Sequence, residues 1–140
     1  MDARHMNEKL SRRSVLLAGA AAAGIAGSLP ATAEVAAVKK LTAAQLATKL
    51  TKKDFFLVNV HIPYEGEIAY TDAFIAFDTI ADHLDILPKD KNASIVLYCR
   101  SGRMSDIASK SLVHLGYSQV SDLVGGMNGW KEAGFQVIEK

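Results

Sequence analysis

Apolar residues along this chain recur with two periods. Residues 55–60 (Phe-Phe-Leu-Val-Asn-Val) and 94–98 (Ser-Ile-Val-Leu-Tyr) are short, nearly continuous apolar runs, the pattern of strands buried on both faces of a parallel sheet. Residues 120–124 read as a last core strand, 72–77 as another short strand and 36–41 as a short edge strand. Between the runs the period lengthens. Ala43, Leu46, Ala47 and Leu50 lie three and four apart behind Thr42, which predicts an N-capped helix over 43–50. Asp78 is expected to cap a helix through Leu87 that ends before Pro88. Ser105 is expected to cap a third helix, with Ile107, Ala108, Leu112 and Leu115 as its buried stripe and Gly116 as its C′ residue. Gly125 and Gly126 permit a tight reversal into a short helix over 127–133, with Trp130 as a packing anchor and a terminal extension over 135–138. Strands alternating with helices indicate an α/β fold on a parallel sheet.

Composition narrows this picture little, because 140 residues with 49% apolar content suit one globular domain. Residues 1–33 stand apart. Ser11-Arg12-Arg13-Ser14-Val15-Leu16-Leu17 opens an Ala/Gly-rich run through Gly27, and Ala31-Thr32-Ala33 is a small-x-small cleavage pattern. Together they predict a secretory signal, and the paired arginines suggest the twin-arginine route to the periplasm or another exported location. Met1 to His5 precede a second candidate start at Met6. The run is short and weakly apolar for a membrane span of about 20 residues, so no stable insertion is expected after cleavage, with an uncleaved anchor as the alternative. The remaining domain, 34–140, carries 12 Lys+Arg against 13 Asp+Glu, a net charge of −1. That balance argues against a nucleic-acid partner.

The candidate chemistry lies directly after the 94–98 run, in Cys99-Arg100-Ser101-Gly102-Arg103-Met104-Ser105. Cys99 is the only cysteine, so it cannot form an internal disulfide in an oxidising compartment. A thiolate is favoured near helix N-termini and cationic side chains, and here the helix start, Arg100 and Arg103 are all at hand. Gly102 frees the backbone so that successive N–H groups can cradle an anion, and Ser101 and Ser105 add hydroxyls without filling the space. His61, Tyr64, Glu65 and Glu67 follow the 55–60 strand and are candidates for a rim facing Cys99, since ligand sites gather at the carboxyl ends of such sheets; solvated loop residues are the plain alternative. His61, His83, His114 and Cys99 lack metal-ligand spacing, so neither metal nor cofactor is expected.

This loop resembles the active-site loop of the rhodanese superfamily. Leu123-Val124-Gly125-Gly126-Met127-Asn128-Gly129-Trp130 is similar to the family's C-terminal Gly-Gly and Gly-Trp signature, and the likeness runs from about Leu41 to the end. It implies a three-layer α/β domain with a mostly parallel sheet of about five strands and helices on both faces. It also implies sulfurtransferase chemistry through a persulfide on Cys99, with Arg100, Ser101, Gly102, Arg103, Met104 and Ser105 around the substrate. The donor would be thiosulfate or a similar small anion, and the acceptor cyanide, a small thiol or a protein thiol.

Three departures bear on this. Asn59 and His61 stand where the family has Asp and Arg, Tyr70 to Ile75 replaces a Gly-His-Ile segment, and Met104 occupies a position that is often basic or hydroxylated. A sulfur carrier or binding module for a partner protein is the alternative from another class. A phosphatase or arsenate reductase is disfavoured, because those loops resemble Cys-x5-Arg while the residue six after Cys99 is Ser105.

Overall fold

The computed structural model describes residues 36–139; the expected leader over 1–33 lies outside the described residues. The apolar runs form strands β1 (Lys39–Leu41), β2 (Phe56–Asn59), β3 (Ala73–Phe74), β4 (Ser94–Tyr98) and β5 (Gln119–Leu123). They pair in one sheet in the order β1-β5-β4-β2-β3, and every neighbouring pair is parallel. The helices are α1 (Ala43–Leu50), α2 (Arg103–His114) and α3 (Gly126–Glu132).

Side chains alternate across a strand, so each strand feeds two cores. Val58, Val60, Ile95, Leu97, Cys99 and Val120 face α2, meeting Ala108, Leu112 and Val113. Leu57, Val96, Tyr98 and Leu123 face the other way, onto Ala43 and Leu46 of α1 and Met127 and Trp130 of α3. The central strands are therefore apolar on both faces, which is why they read as unbroken runs. Trp130 is buried, donates through Nε1 to Gln136 O at 2.9 Å and lies 4.6 Å from the Phe135 ring.

Helix α1 has the expected bounds because its start is fixed twice: Gln45 N donates to Thr42 Oγ1 at 3.1 Å and Thr42 N to Gln45 Oε1 at 2.9 Å, a capping box. At the end of α2, Gly116 takes φ 101 while its N–H donates to Val113 O and that of Tyr117 to Leu112 O, a Schellman closure.

Four expectations are corrected. The helix from Asp78 to Leu87 is a single 3-10 turn at Ile80–His83 with Thr79 as its cap; i to i+3 bonds, Asp82 N to Thr79 O and Leu87 N to Leu84 O, replace an α-helical ladder. The strand over 72–77 pairs only at Ala73–Phe74. Helix α2 begins at Arg103 with Gly102 as its cap, so Ser105 lies inside the first turn. Its buried face is Ser105, Ala108, Ser109, Leu112 and Val113, whereas Ile107 and Leu115 are exposed. The stripe keeps helical spacing, but two of its members are small serines that a hydrophobic pattern does not reveal. The terminal extension closes on the β2 loop through an antiparallel bridge between Glu67 and Ile138.

Candidate active site

Strand β4 ends at the carboxyl edge of the sheet and hands over Cys99, which is 1% exposed. The next carbonyls are pinned to α3: Met127 N donates to Cys99 O at 2.8 Å and Asn128 N to Arg100 O at 2.9 Å. This approach is possible only at a glycine. A Cβ on Gly126 would lie 2.4 Å from Cys99 O and 2.7 Å from the Arg100 carbonyl carbon. With its carbonyls held by α3, the loop turns through Gly102 at φ 109, and the Gly102 N–H donates to Cys99 Sγ at 2.9 Å. An N–H aimed at sulfur stabilises negative charge there.

Behind the sulfur runs a line of polar side chains. The Cys99 thiol lies 3.6 Å from Ser105 Oγ as donor to it, and Ser105 Oγ in turn donates to the Asp122 carboxylate. Asp122 is 2% exposed and accepts from Lys40 Nζ at 2.8 Å. Lys40 also reaches Asp106 at 2.9 Å, and Asp106 pairs with Lys110 at 3.1 Å. Burial works against the charge on Lys40, but the hydrogen bonds it donates to Asp106 and Asp122 outweigh it and raise its pKa. Hydrogen bonds from Lys40 and Lys110 hold Asp106 below the usual carboxylate range.

In front of the sulfur is a cavity of about 360 Å³, which Cys99 lines together with His61, Arg100, Ser101, Arg103, Met104 and Asn128. Arg100 is drawn sideways, donating to Glu65 Oε1 at 3.1 Å, and the same oxygen lies 3.2 Å from His61 Nε2. Arg103 is exposed and forms no ion pair among the described residues. Of the expected rim, His61 lines the cavity. Glu65 holds Arg100 and His61 from the adjoining depression.

Tyr64 is outside the cavity: its hydroxyl donates to Glu67 at 3.0 Å and its ring meets Phe74 edge-on at 5.5 Å. That mutual engagement of Tyr64, Glu67 and Phe74 is the reason it turns away from Cys99. Ser101 and Met104 line the cavity, the Gly102 N–H faces the sulfur, and Ser105 is buried behind it in the first turn of α2 rather than capping the helix. Among the described residues, no group of three His, Cys, Asp or Glu side chains is placed to hold a metal ion.

Three residues escaped the sequence reading. Asn128 lines the cavity from α3. Asp122 and Lys40 form the charged pair behind Ser105. A carboxylate inside a strand read as core was the available signal, since ionised side chains are seldom fully buried without a partner.

A second polar network occupies the same edge of the sheet on the opposite face. Asn59 donates through Nδ2 to Gly66 O at 2.9 Å and accepts from His61 N at 3.0 Å, so it folds the loop after β2 back on itself. Thr71 Oγ1 donates to Ile68 O at 2.6 Å, which leaves the buried Tyr98 hydroxyl to donate to Thr71 at 2.7 Å while accepting from Ile68 N at 2.9 Å. Burial pushes the Tyr98 pKa up to about 12.

A cysteine closing the central parallel strand, a loop pinned by a Gly-Gly helix start and a matching chain segment decide the family. Residues 57–133 match the rhodanese-like domain. This chain belongs to the rhodanese-like family. A sulfurtransferase of Allochromatium vinosum is 30% identical over 104 residues, which cover 72% of this chain and 95% of that protein. A tRNA uridine(34) hydroxylase of Wigglesworthia glossinidia brevipalpis is 34% identical over 94 residues, 63% of this chain, and the chain spans only 30% of that protein's length. Among solved structures, a rhodanese-related protein from Thermoplasma volcanium superposes with a TM-score of 0.63 at 27% identity, covering 73% of this chain and 99% of that one. The rhodanese-like fold is thus shared by proteins whose names describe different chemistries, and the site has to carry the functional reading.

Proposed function

We propose that this rhodanese-like domain transfers sulfane sulfur from thiosulfate or a similar anion to a thiophilic acceptor through a persulfide on Cys99. The observation that carries this reading is a lone cysteine at the cavity wall with the Gly102 N–H on its sulfur and Arg103 beside it. The thiolate of Cys99 attacks the outer sulfur of thiosulfate; the S–S bond of the donor breaks and sulfite leaves with the electron pair. Cyanide or a thiolate then attacks the outer persulfide sulfur, the Cys99–S bond breaks and the thiolate returns. Splitting one transfer into two displacements is nucleophilic catalysis. Arg103 is the clamp for the dianionic donor, because Arg100 already serves Glu65. Phosphoryl transfer is the weaker reading, since Arg103 comes four residues after Cys99 and Ser105 stands where a Cys-x5-Arg loop has its arginine.

Incubation of the domain with thiosulfate should release sulfite and add one sulfur atom to Cys99, seen by intact mass, and Cys99→Ala should do neither. An intact free thiol without adduct overturns the reading. A stable persulfide that cyanide does not discharge favours a carrier serving a partner protein. We further propose that residues 1–33 are a twin-arginine leader and that the domain acts outside the cytoplasm. Cell fractionation with N-terminal sequencing tests this, and a cytoplasmic protein that retains its N-terminus would refute it.

A further inference from the structure

We propose that Asp122 is a positioning residue that fixes the Ser105 hydroxyl hydrogen away from sulfur, so that Ser105 turns a lone pair to Cys99 and accepts a hydrogen bond from its thiol. This deepens the sulfur-transfer reading and rests on Cys99 being its nucleophile.

The inference follows from counting hydrogens. A serine hydroxyl has one hydrogen to donate, and an ionised carboxylate only accepts. Asp122 is buried and forms an ion pair with Lys40, whose Nζ lies 2.8 Å from Oδ2. Ser105 Oγ has two acceptors within reach, Asp122 and, at 3.3 Å, Gly102 O, and it spends its hydrogen on the closer, charged Asp122. What it turns toward the sulfur, 3.6 Å away, is a lone pair, and a lone pair is matched by S–H and opposed by S⁻. The Gly102 N–H, 2.9 Å from the same sulfur, acts in the opposite sense.

The other charged and titratable groups around the sulfur come from three sides. His61 follows β2, with Glu65 bonded to it, and Arg100 and Arg103 belong to the loop and the start of α2. Lys40 and Asp106 stand behind Asp122, and α3 brings only the neutral Asn128 to the cavity. Among these groups, Ser105 is the one whose sense, donor or acceptor, is selected by a buried neighbour. The lock acts on the free thiol alone, because Sγ in the persulfide has no hydrogen to offer.

The test is the pH dependence of Cys99 alkylation by iodoacetamide, which needs no sulfur donor and so is separable from failure of the transfer reading. In Asp122→Asn the amide can donate to Ser105 Oγ and release the hydroxyl hydrogen toward sulfur. The alkylation midpoint should fall by about one pH unit. The same substitution made on a Ser105→Ala background should shift the midpoint by less than half as much. An unchanged or raised midpoint in Asp122→Asn overturns the proposal. So does a shift that keeps half or more of its size without Ser105, since that effect is charge acting through space. If Asp122→Asn does not fold, Ser105→Ala alone serves instead: without the lone pair behind the sulfur the midpoint should fall, and an unchanged or raised midpoint overturns the proposal.

Discussion

Tyr98 and Cys99 are consecutive residues of one chain segment, both essentially inaccessible, and each places a protic group at the same edge of the sheet. On the Tyr98 side the network is tied into backbone: Ile68 N, Ile68 O and Gly66 O set every direction, and Tyr98 stays protonated up to about 12. Burial with complete partners makes that hydroxyl inert and makes it a tie between loops. On the Cys99 side, sulfur meets one backbone N–H, that of Gly102, and a side-chain hydroxyl that leads on to a side-chain carboxylate and a surface lysine, while its front opens onto a cavity. Equal burial therefore ties loops together on one face and lines an open cavity on the other. The difference lies in what orients the neighbouring hydroxyl: a fixed backbone carbonyl for Thr71, a side-chain carboxylate for Ser105.

The strongest way to break this contrast is Gly126→Ala. Its methyl would collide with Cys99 O, at 2.4 Å, and displace the loop from α3. We expect a roughly hundredfold fall in the rate of persulfide formation, together with about 2–4 kcal/mol of lost stability. A sulfite-release assay alongside urea denaturation would show both. Tyr98→Phe should do the reverse, stranding the Ile68 N–H and costing about 1–3 kcal/mol, while sulfur transfer per folded molecule stays near the parent value. A smaller effect should separate the two arginines: Arg103→Ala is expected to raise KM for thiosulfate about tenfold, and Arg100→Ala to raise it less, because that guanidinium is committed to Glu65.

The smallest effect is one of pH. The folded-state pKa of Tyr98 lies above its ordinary 10.0, so its contribution to stability is present below pH 10.0 and is lost as the pH climbs through about 12. The stability gap between parent and Tyr98→Phe, followed by denaturant titration over that window, should shrink steadily. A constant gap would mean that Tyr98 ionises alike in both states.

Much of the fold was legible because local and global signals agreed. Thr42 and Gln45 cap α1 as their spacing implied, and the apolar runs became β2, β4 and β5 because each faces two cores. Legibility failed where side chains took unexpected directions. Ser105 read as an N-cap because serine favours that place, yet Gly102 at positive φ starts the helix earlier and turns Ser105 inward to Asp122. The turn at Ile80–His83 lacks any side-chain cap bond, and only Ile80 of its residues is buried, so nothing prolongs it into a helix. In the site, the loop after Cys99 was visible as a motif. Its buried support was not, since Lys40 and Asp122 lie 82 residues apart and meet only because β1 pairs with β5.

That pairing sets a lower limit on what can be excised as a working unit. The recognisable motif spans 57–133, but the cation that pairs with the carboxylate behind Cys99 comes from β1, and the residues that complete the second core come from α1. A fragment trimmed to the motif would keep Cys99, both arginines and the Gly-Gly turn. It would also carry a buried negative charge with no counterion, so in this protein the modular boundary lies one strand and one helix ahead of the signature.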